Sequence, residues 1–178
     1  MSEQTTTAQR IVTSNMEKEY IKKHFDEVLN RYGHQVIYAR RDLDIRCECY
    51  NEISRESDIR CDKCLQTGYK ISYERVRSRR RIVTVVETNV ALRLTYETGI
   101  KTPKAYLYYF PSELAPKEAD LILEVEEKEN SNKAKVKEKY IISVAEGMRD
   151  VHGEISFYQT YSKYEEKGDY DDKAISGN

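Results

Sequence analysis

The sequence predicts a mainly β protein: a small antiparallel β-barrel or sandwich with one N-terminal amphipathic helix and a short cysteine-rich insertion. Three observations carry that expectation. A single stretch near the N-terminus repeats apolar residues at helical spacing, and most of the remainder consists of short runs rich in β-branched and aromatic residues. All four cysteines fall between residues 47 and 64. One helix followed by a succession of short strands is the pattern of a small barrel or sandwich. A chain of 178 residues is long enough for one well-cored domain.

Taken in order, residues 1–12 carry no periodic signal and read as an arm. Residues 13–33 read as the helix. Ser14 and Glu17 fit a capping box, in which the hydroxyl accepts from the Glu17 N–H and the carboxylate reaches back. Met16, Tyr20, Ile21, Phe25, Val28, Leu29 and Tyr32 form one apolar stripe, and Gly33 is expected to end the helix in a left-handed turn. His24 sits among Lys22, Lys23 and Asp26 and reads as a solvated face residue. Residues 34–46 and 69–164 are assigned to the barrel, with strands at HQVIYARR, within 69–96, at AYLYYF (105–110), and at DLILEVEE, KYIISVAEGM and HGEISFYQTY. EEKENSNKAKVKEK, residues 126–139, is charged and reads as an exposed hairpin tip carrying Lys133, Lys135 and Lys137. Residues 165–178 form an acidic, polar tail.

Charge is unevenly spread. Residues 1–81 hold seventeen Lys and Arg against thirteen Asp and Glu, whereas residues 82–178 hold thirteen against eighteen. That balance disfavours an overall basic nucleic-acid binder while leaving room for a local patch. Fifteen tyrosines against three phenylalanines suit strand positions, thin cores and subunit contacts. No apolar run approaches the roughly 20 residues that cross a bilayer. The N-terminus MSEQTTTAQR lacks the apolar centre of a secretory signal, so a reducing cytoplasm is the expected place of synthesis and no membrane partner is expected.

In that compartment clustered thiols are better ligands than disulfides. The spacing is Cys47-x-Cys49, eleven residues, then Cys61-x-x-Cys64, assigning residues 47–68 to a knuckle. A CxxC turn puts two sulfurs on one side of a tight loop, and two thiols one residue apart on extended backbone share a face. The two pairs together make one tetrahedral four-thiolate site for a structural Zn2+, with no open position for chemistry. The excursion YNEISRESDIR cannot build a core of its own, which is the setting in which a metal substitutes for burial.

Arg75, Arg77, Arg79, Arg80 and Arg81 follow the cluster. On a strand, residues 75, 77, 79 and 81 share one face. The row is open to three readings: a track for a phosphate backbone, a set of ion pairs with another subunit, or a solvated face. Enzyme signatures are absent: there is no P-loop, no GxSxG and no Gly-rich dinucleotide turn, and the histidines (24, 34, 152) are scattered. The expectation is a protein without catalytic residues.

The segment HQVIYARRDLDIRCECYNEISRESDIRCDKCLQTGYKISYERVRSRRRIV resembles the front half of neck proteins of tailed bacteriophages, where CxC…CxxCxGTG(Y/W) precedes a basic strand. Here Leu65-Gln66-Thr67-Gly68-Tyr69 follows Cys64, with Gln66 where a glycine is common. The back half, YYFPSELAPKEADLILEV and KYIISVAEGMRDVHGEISFYQTY, is similar to head-closure (stopper) proteins, with Asp120 at the turn before a strand. The resemblance covers about residues 34–162. It implies a virion subunit that forms a homo-oligomeric ring beneath a portal or adaptor protein, above a tail-terminator or tail-completion protein. Such a ring retains packaged DNA, with non-specific DNA contact an open point, and is assembled in the host cytoplasm. The alternative is a zinc-stabilised nucleic-acid-binding module that grips through the arginine strand.

Overall fold

In the computed structural model, residues 20–82, 105–127, 133–150, 152–165 and 175–176 are described. Helix α1 covers residues 20–32. The strands are β1 (His34–Arg46), β2 (Tyr50–Asn51), β3 (Glu56–Ser57), β4 (Tyr69–Ile82), β5 (Ala105–Pro111), β6 (Leu121–Glu127), β7 (Lys133–Arg149), β8 (Ile155–Glu165) and β9 (Ile175–Ser176). Hydrogen bonding runs β6-β1-β4-β5-β8-β7, and β7 pairs back onto β6, so six antiparallel strands close a barrel. The arm, the Ser14–Glu17 cap and residues 83–96 lie outside the described residues.

Alternation sorts the side chains. Val36, Tyr38, Tyr108, Phe110, Ile122, Tyr140 and Ile142 point inward and form the core. Tyr38 and Phe110 meet edge-on at 6.0 Å, Tyr108 and Tyr140 tilted at 5.7 Å, and Tyr108 and Phe110 lie parallel at 6.2 Å. Removing any one of these rings would cost about 3–5 kcal/mol. Tyrosine serves here where phenylalanine would not, because carboxylates wait at both ends of the barrel. Tyr38 donates to Asp120 at the end where β6 begins. Tyr108 donates to Glu124 (2.8 Å) and Tyr140 to Glu138 (2.7 Å) at the other. Burial, reinforced by those carboxylates, pushes all three phenols up and keeps them donors.

On the outside, Ile37, Ala39, Leu121, Leu123 and Val136 make a second cluster, capped by Leu65 from the cysteine segment. Helix α1 covers another outer face. Leu29 is buried, and Phe25 stacks on Phe157 at 4.5 Å. Gly33 ends the helix but not through a left-handed turn, because its φ is not positive. Its N–H still bonds Leu29 O at 2.8 Å, and a Cβ there would lie 2.3 Å from that oxygen, so glycine is demanded by space.

A further sequence expectation fails. Residues 126–139 are not a hairpin tip: β6 runs through Glu127 and β7 starts at Lys133, leaving only 128–132 outside the described residues. Val136 is buried, and Lys139 is 1% exposed. Charge density alone pointed to solvent, but pairing from Glu124 to Glu127 against β7 carries the ladder outward. Lys135 and Lys137 are exposed strand residues rather than loop lysines.

Candidate metal centre

Residues 47–68 connect the end of β1 to the start of β4 and fold back over the outer face of β1, β6 and β7. Just before them the β1–β4 register slips between Asp42 and Arg46, and Leu43 and Ile45 bulge into solvent. Cys47 and Cys49 follow. The short β2–β3 hairpin turns the chain around, and its bend is held by Asn51 Oδ1, which accepts from the N–H groups of Ile53 and Ser54. Asp58 O then accepts from Cys61 N–H at 3.1 Å to start the second pair.

The four sulfurs converge. Cys47 Sγ lies 3.8 Å from Cys61 Sγ, Cys49 Sγ lies 3.4 Å from Cys64 Sγ, and all four lie within 4.8 Å of one another. A tetrahedral ion with metal–sulfur bonds near 2.3 Å requires sulfur–sulfur separations of about 3.8 Å, so the set fits a four-thiolate metal site. The cysteines are free thiols, with Cys64 buried and the other three half-buried. Both pairs identified in the sequence therefore meet.

Backbone amides complete the site. Burial opposes ionisation of Cys61, yet the N–H groups of Cys64 and Lys63 aim at its sulfur and, with the neighbouring thiols, hold it below the usual thiol value. Burial pushes Cys49 and Cys64 up, partly countered by N–H groups of Asp58 and Gly68 respectively. Amides directed at sulfur are the outer support that thiolate–metal sites use to spread charge. Gly68 is required here: its φ is +72°, and a Cβ would lie 2.9 Å from the Tyr50 ring.

Three residues that the spacing did not reveal tie this unit to the barrel. Leu65, 1% exposed, drops into the outer apolar cluster from a left-handed backbone (φ 47°). Gln66 is also left-handed (φ 71°), the conformation that the common glycine would take for nothing. Its side chain offsets the strain by donating to Ile59 O (3.0 Å) and accepting from Lys139 Nζ (3.3 Å). Lys139 also donates to Leu65 O (3.3 Å) and pairs with Glu165 (3.3 Å), which accounts for a buried ammonium. Beside the first pair, the Arg46 guanidinium is sandwiched 4.2 Å from the Tyr50 ring and 4.1 Å from the Tyr69 ring. Of these, the sequence had singled out only Gln66, standing where a glycine is common.

The arginine row splits. Arg77 donates to Asn30 O (2.5 Å) at the last turn of α1, and Arg79 lies 5.5 Å over the Tyr32 ring. Cations suit a helix C-terminus, where free carbonyls gather. Arg75 is half-buried and Arg81 exposed on the same outer side. Arg80 alternates to the other side of β4, at the open end of the barrel. There its Nη1 reaches Glu124 (3.3 Å) and Glu138 (3.4 Å), and its guanidinium lies 4.6 Å over Tyr106. His34 Nε2 joins at 3.0 and 3.1 Å from the Glu124 oxygens. Burial would raise the Glu124 carboxyl, but His34, Tyr108 and Arg80 together hold it below the usual carboxylate range. This polar plug joins residues from five strands and was invisible in the sequence. Among the described residues no helix is long and apolar enough to cross a membrane. Comparison with known proteins adds no family: no family model matches the chain, and no curated protein matches it closely.

Proposed function

We propose that this chain is a structural subunit of a tailed-phage neck, a ring that closes the portal after DNA packaging and joins head to tail. It holds a structural Zn2+ on Cys47, Cys49, Cys61 and Cys64 and performs no catalysis. The observation that carries the reading is the placement of the four-thiol unit. It is inserted between two strands of a closed antiparallel barrel, behind an N-terminal helix and directly before a basic strand, as the resemblance implies. Four thiolates suit zinc or iron, and zinc is the metal the resemblance implies.

The test is capture by a portal or adaptor ring of the phage that encodes the chain, followed by particle assembly without it. Full heads that lose their DNA and carry no tail are expected. Particles that form and infect normally without the chain would remove the reading. Metal analysis of the purified protein should give one zinc per chain, and a visible thiolate–iron absorption band would assign iron instead. The arginine strand lends less support to the nucleic-acid module, because Arg77 and Arg79 are engaged with α1 and Arg80 with the carboxylates at the barrel mouth.

A further inference from the structure

We propose that Cys49 with Cys64, and Cys47 with Cys61, form a thiol–disulfide device: a peroxide converts the four-thiolate site into two disulfides, which keep residues 47–64 closed after the ion has left. The device is independent of any ring and requires only the four-thiol cluster. Within that cluster the sulfurs stand in two cross-pairs. Cys49 Sγ approaches Cys64 Sγ to 3.4 Å and Cys47 Sγ approaches Cys61 Sγ to 3.8 Å, each pair joining the segment after β1 to the segment before β4. Glu48 lies between the first two cysteines and Lys63 between the last two, and their side chains meet at 2.9 Å, so the same two segments face each other. A disulfide needs its sulfurs at about 2.05 Å, which leaves the closer pair roughly 1.4 Å to travel.

Exposure assigns the two roles in the closer pair. Cys49 is half-buried and open to solvent, whereas Cys64 is fully buried. Cys64 is also fixed: its carbonyl accepts from Thr67 N–H (2.9 Å) and Thr67 Oγ1 (2.7 Å), and Leu65 beside it is held in the outer apolar cluster. Cys49 leads into the exposed β2–β3 hairpin and can shift without unpacking the barrel. The Cys49 thiolate attacks one oxygen of hydrogen peroxide; the O–O bond breaks, hydroxide leaves, and the sulfur becomes a sulfenic acid. The Cys64 thiolate then attacks that sulfur, the S–S bond forms and a second hydroxide leaves. Two electrons pass from the sulfurs to one peroxide, and a second peroxide closes Cys47 with Cys61 by the same steps. A resolving thiol already in contact intercepts the sulfenic acid before it goes on to sulfinic acid. Disulfide sulfurs carry no charge to hold a cation, so the ion departs. The cross-links, between residues 14 and 15 positions apart, go on restricting the loop. In a reducing cytoplasm the device stays open and the thiols remain ligands.

The experiment uses the full chain loaded with zinc alone and exposed to increasing hydrogen peroxide. Zinc released to a chromophoric chelator should rise in step with the loss of two hydrogens of mass per disulfide, and a thiol reductant with added zinc should reverse both. Trypsin reads the pairing, because it cuts after Arg46, Arg55, Arg60, Lys63 and Lys70 and so separates Cys61 from Cys64. Residues 47–55, 61–63 and 64–70 should travel as one three-peptide species. Backbone fragmentation between Cys47 and Cys49 should leave Cys47 with 61–63 and Cys49 with 64–70. Amide exchange over residues 47–64 should be about tenfold slower in the oxidised, metal-free chain than in the reduced chain under chelator. Retained zinc at a peroxide level that oxidises a free cysteine peptide, sulfinic acid in place of disulfide, a Cys47–Cys49 bond, or exchange as fast as under chelator each overturns the proposal. Metal analysis before peroxide is added tests the zinc assignment separately. Bound zinc with no disulfide formed removes the proposal and leaves that assignment, and disulfides from a chain that binds no zinc do the reverse.

Discussion

The cysteine unit and the barrel interior face the same task, holding polar groups in fixed places, and solve it differently. In the cysteine unit almost nothing is buried: Ile53 is 95% exposed and Ile59 60%, and order rests on four sulfurs and the amides aimed at them. In the barrel, Tyr38, Tyr108, Phe110 and Tyr140 are fully buried, and each phenol finds a carboxylate. One region gathers four thiols that suit a metal ion, the other relies on burial and internal pairs. The two meet at Leu65 and Lys139, so the contrast is sharp in origin but joined in space.

The largest expected effect comes from taking the ion away. Structural zinc contributes about 10 kcal/mol or more of apparent binding free energy to such sites. Cys64→Ser, or a strong chelator, should release the metal and open residues 47–64 to amide exchange, with β1 and β4–β8 still protected. If the barrel amides lose protection at the same chelator concentration, the two regions are one cooperative unit and the contrast fails. Leu65→Ala comes next. Emptying that site in the outer cluster should cost the barrel about 3 kcal/mol in a denaturant melt, with zinc still bound.

Glu124→Gln probes the interior side alone. It leaves His34 and Arg80 with a neutral partner and should cost about 2 kcal/mol at neutral pH. Because the folded carboxyl is held below its unfolded value, its contribution is complete above the ordinary carboxylate range and disappears as pH falls through the depressed value. The gap between wild type and variant in urea melts should therefore close as pH is lowered toward 3, and a gap that widened would contradict the assignment. The smallest effect is Arg46→Ala, which removes a cation from between two rings. About 1 kcal/mol should appear as a several-fold loss of zinc affinity in competition with a chelator, with the barrel melt unmoved.

The same contrast explains what was legible in the sequence. The four clustered thiols lie within eighteen residues, so spacing alone exposed them. The strands were legible wherever alternation was clean, as in β1 and β5 through β8. The polar plug was not, because His34 and Glu124 are 90 residues apart and meet only through strand register. Lys139 and Val136 were read as solvent residues because their neighbours in sequence are charged, whereas in space Val136 joins the outer apolar cluster and Lys139 is enclosed by Leu65 O, Gln66 and Glu165. Alternation was read to put Arg75, Arg77, Arg79 and Arg81 on one face, but only tertiary contact could show that α1 engages Arg77 and Arg79 there and that Arg80, on the other side, meets two carboxylates at the barrel mouth.

Closure of the barrel has a consequence for crowding. A sheet that returns upon itself has no edge strand, so a stray chain finds only short margins to extend, such as the stretch of β4 beyond its pairing with β5. Where β7 runs on past the end of β8, β9 covers part of that margin. In the proposed ring, closure would let many copies sit close together without fibrillar pairing. Contacts between copies are left to side chains, whose chemistry can be specific and reversible.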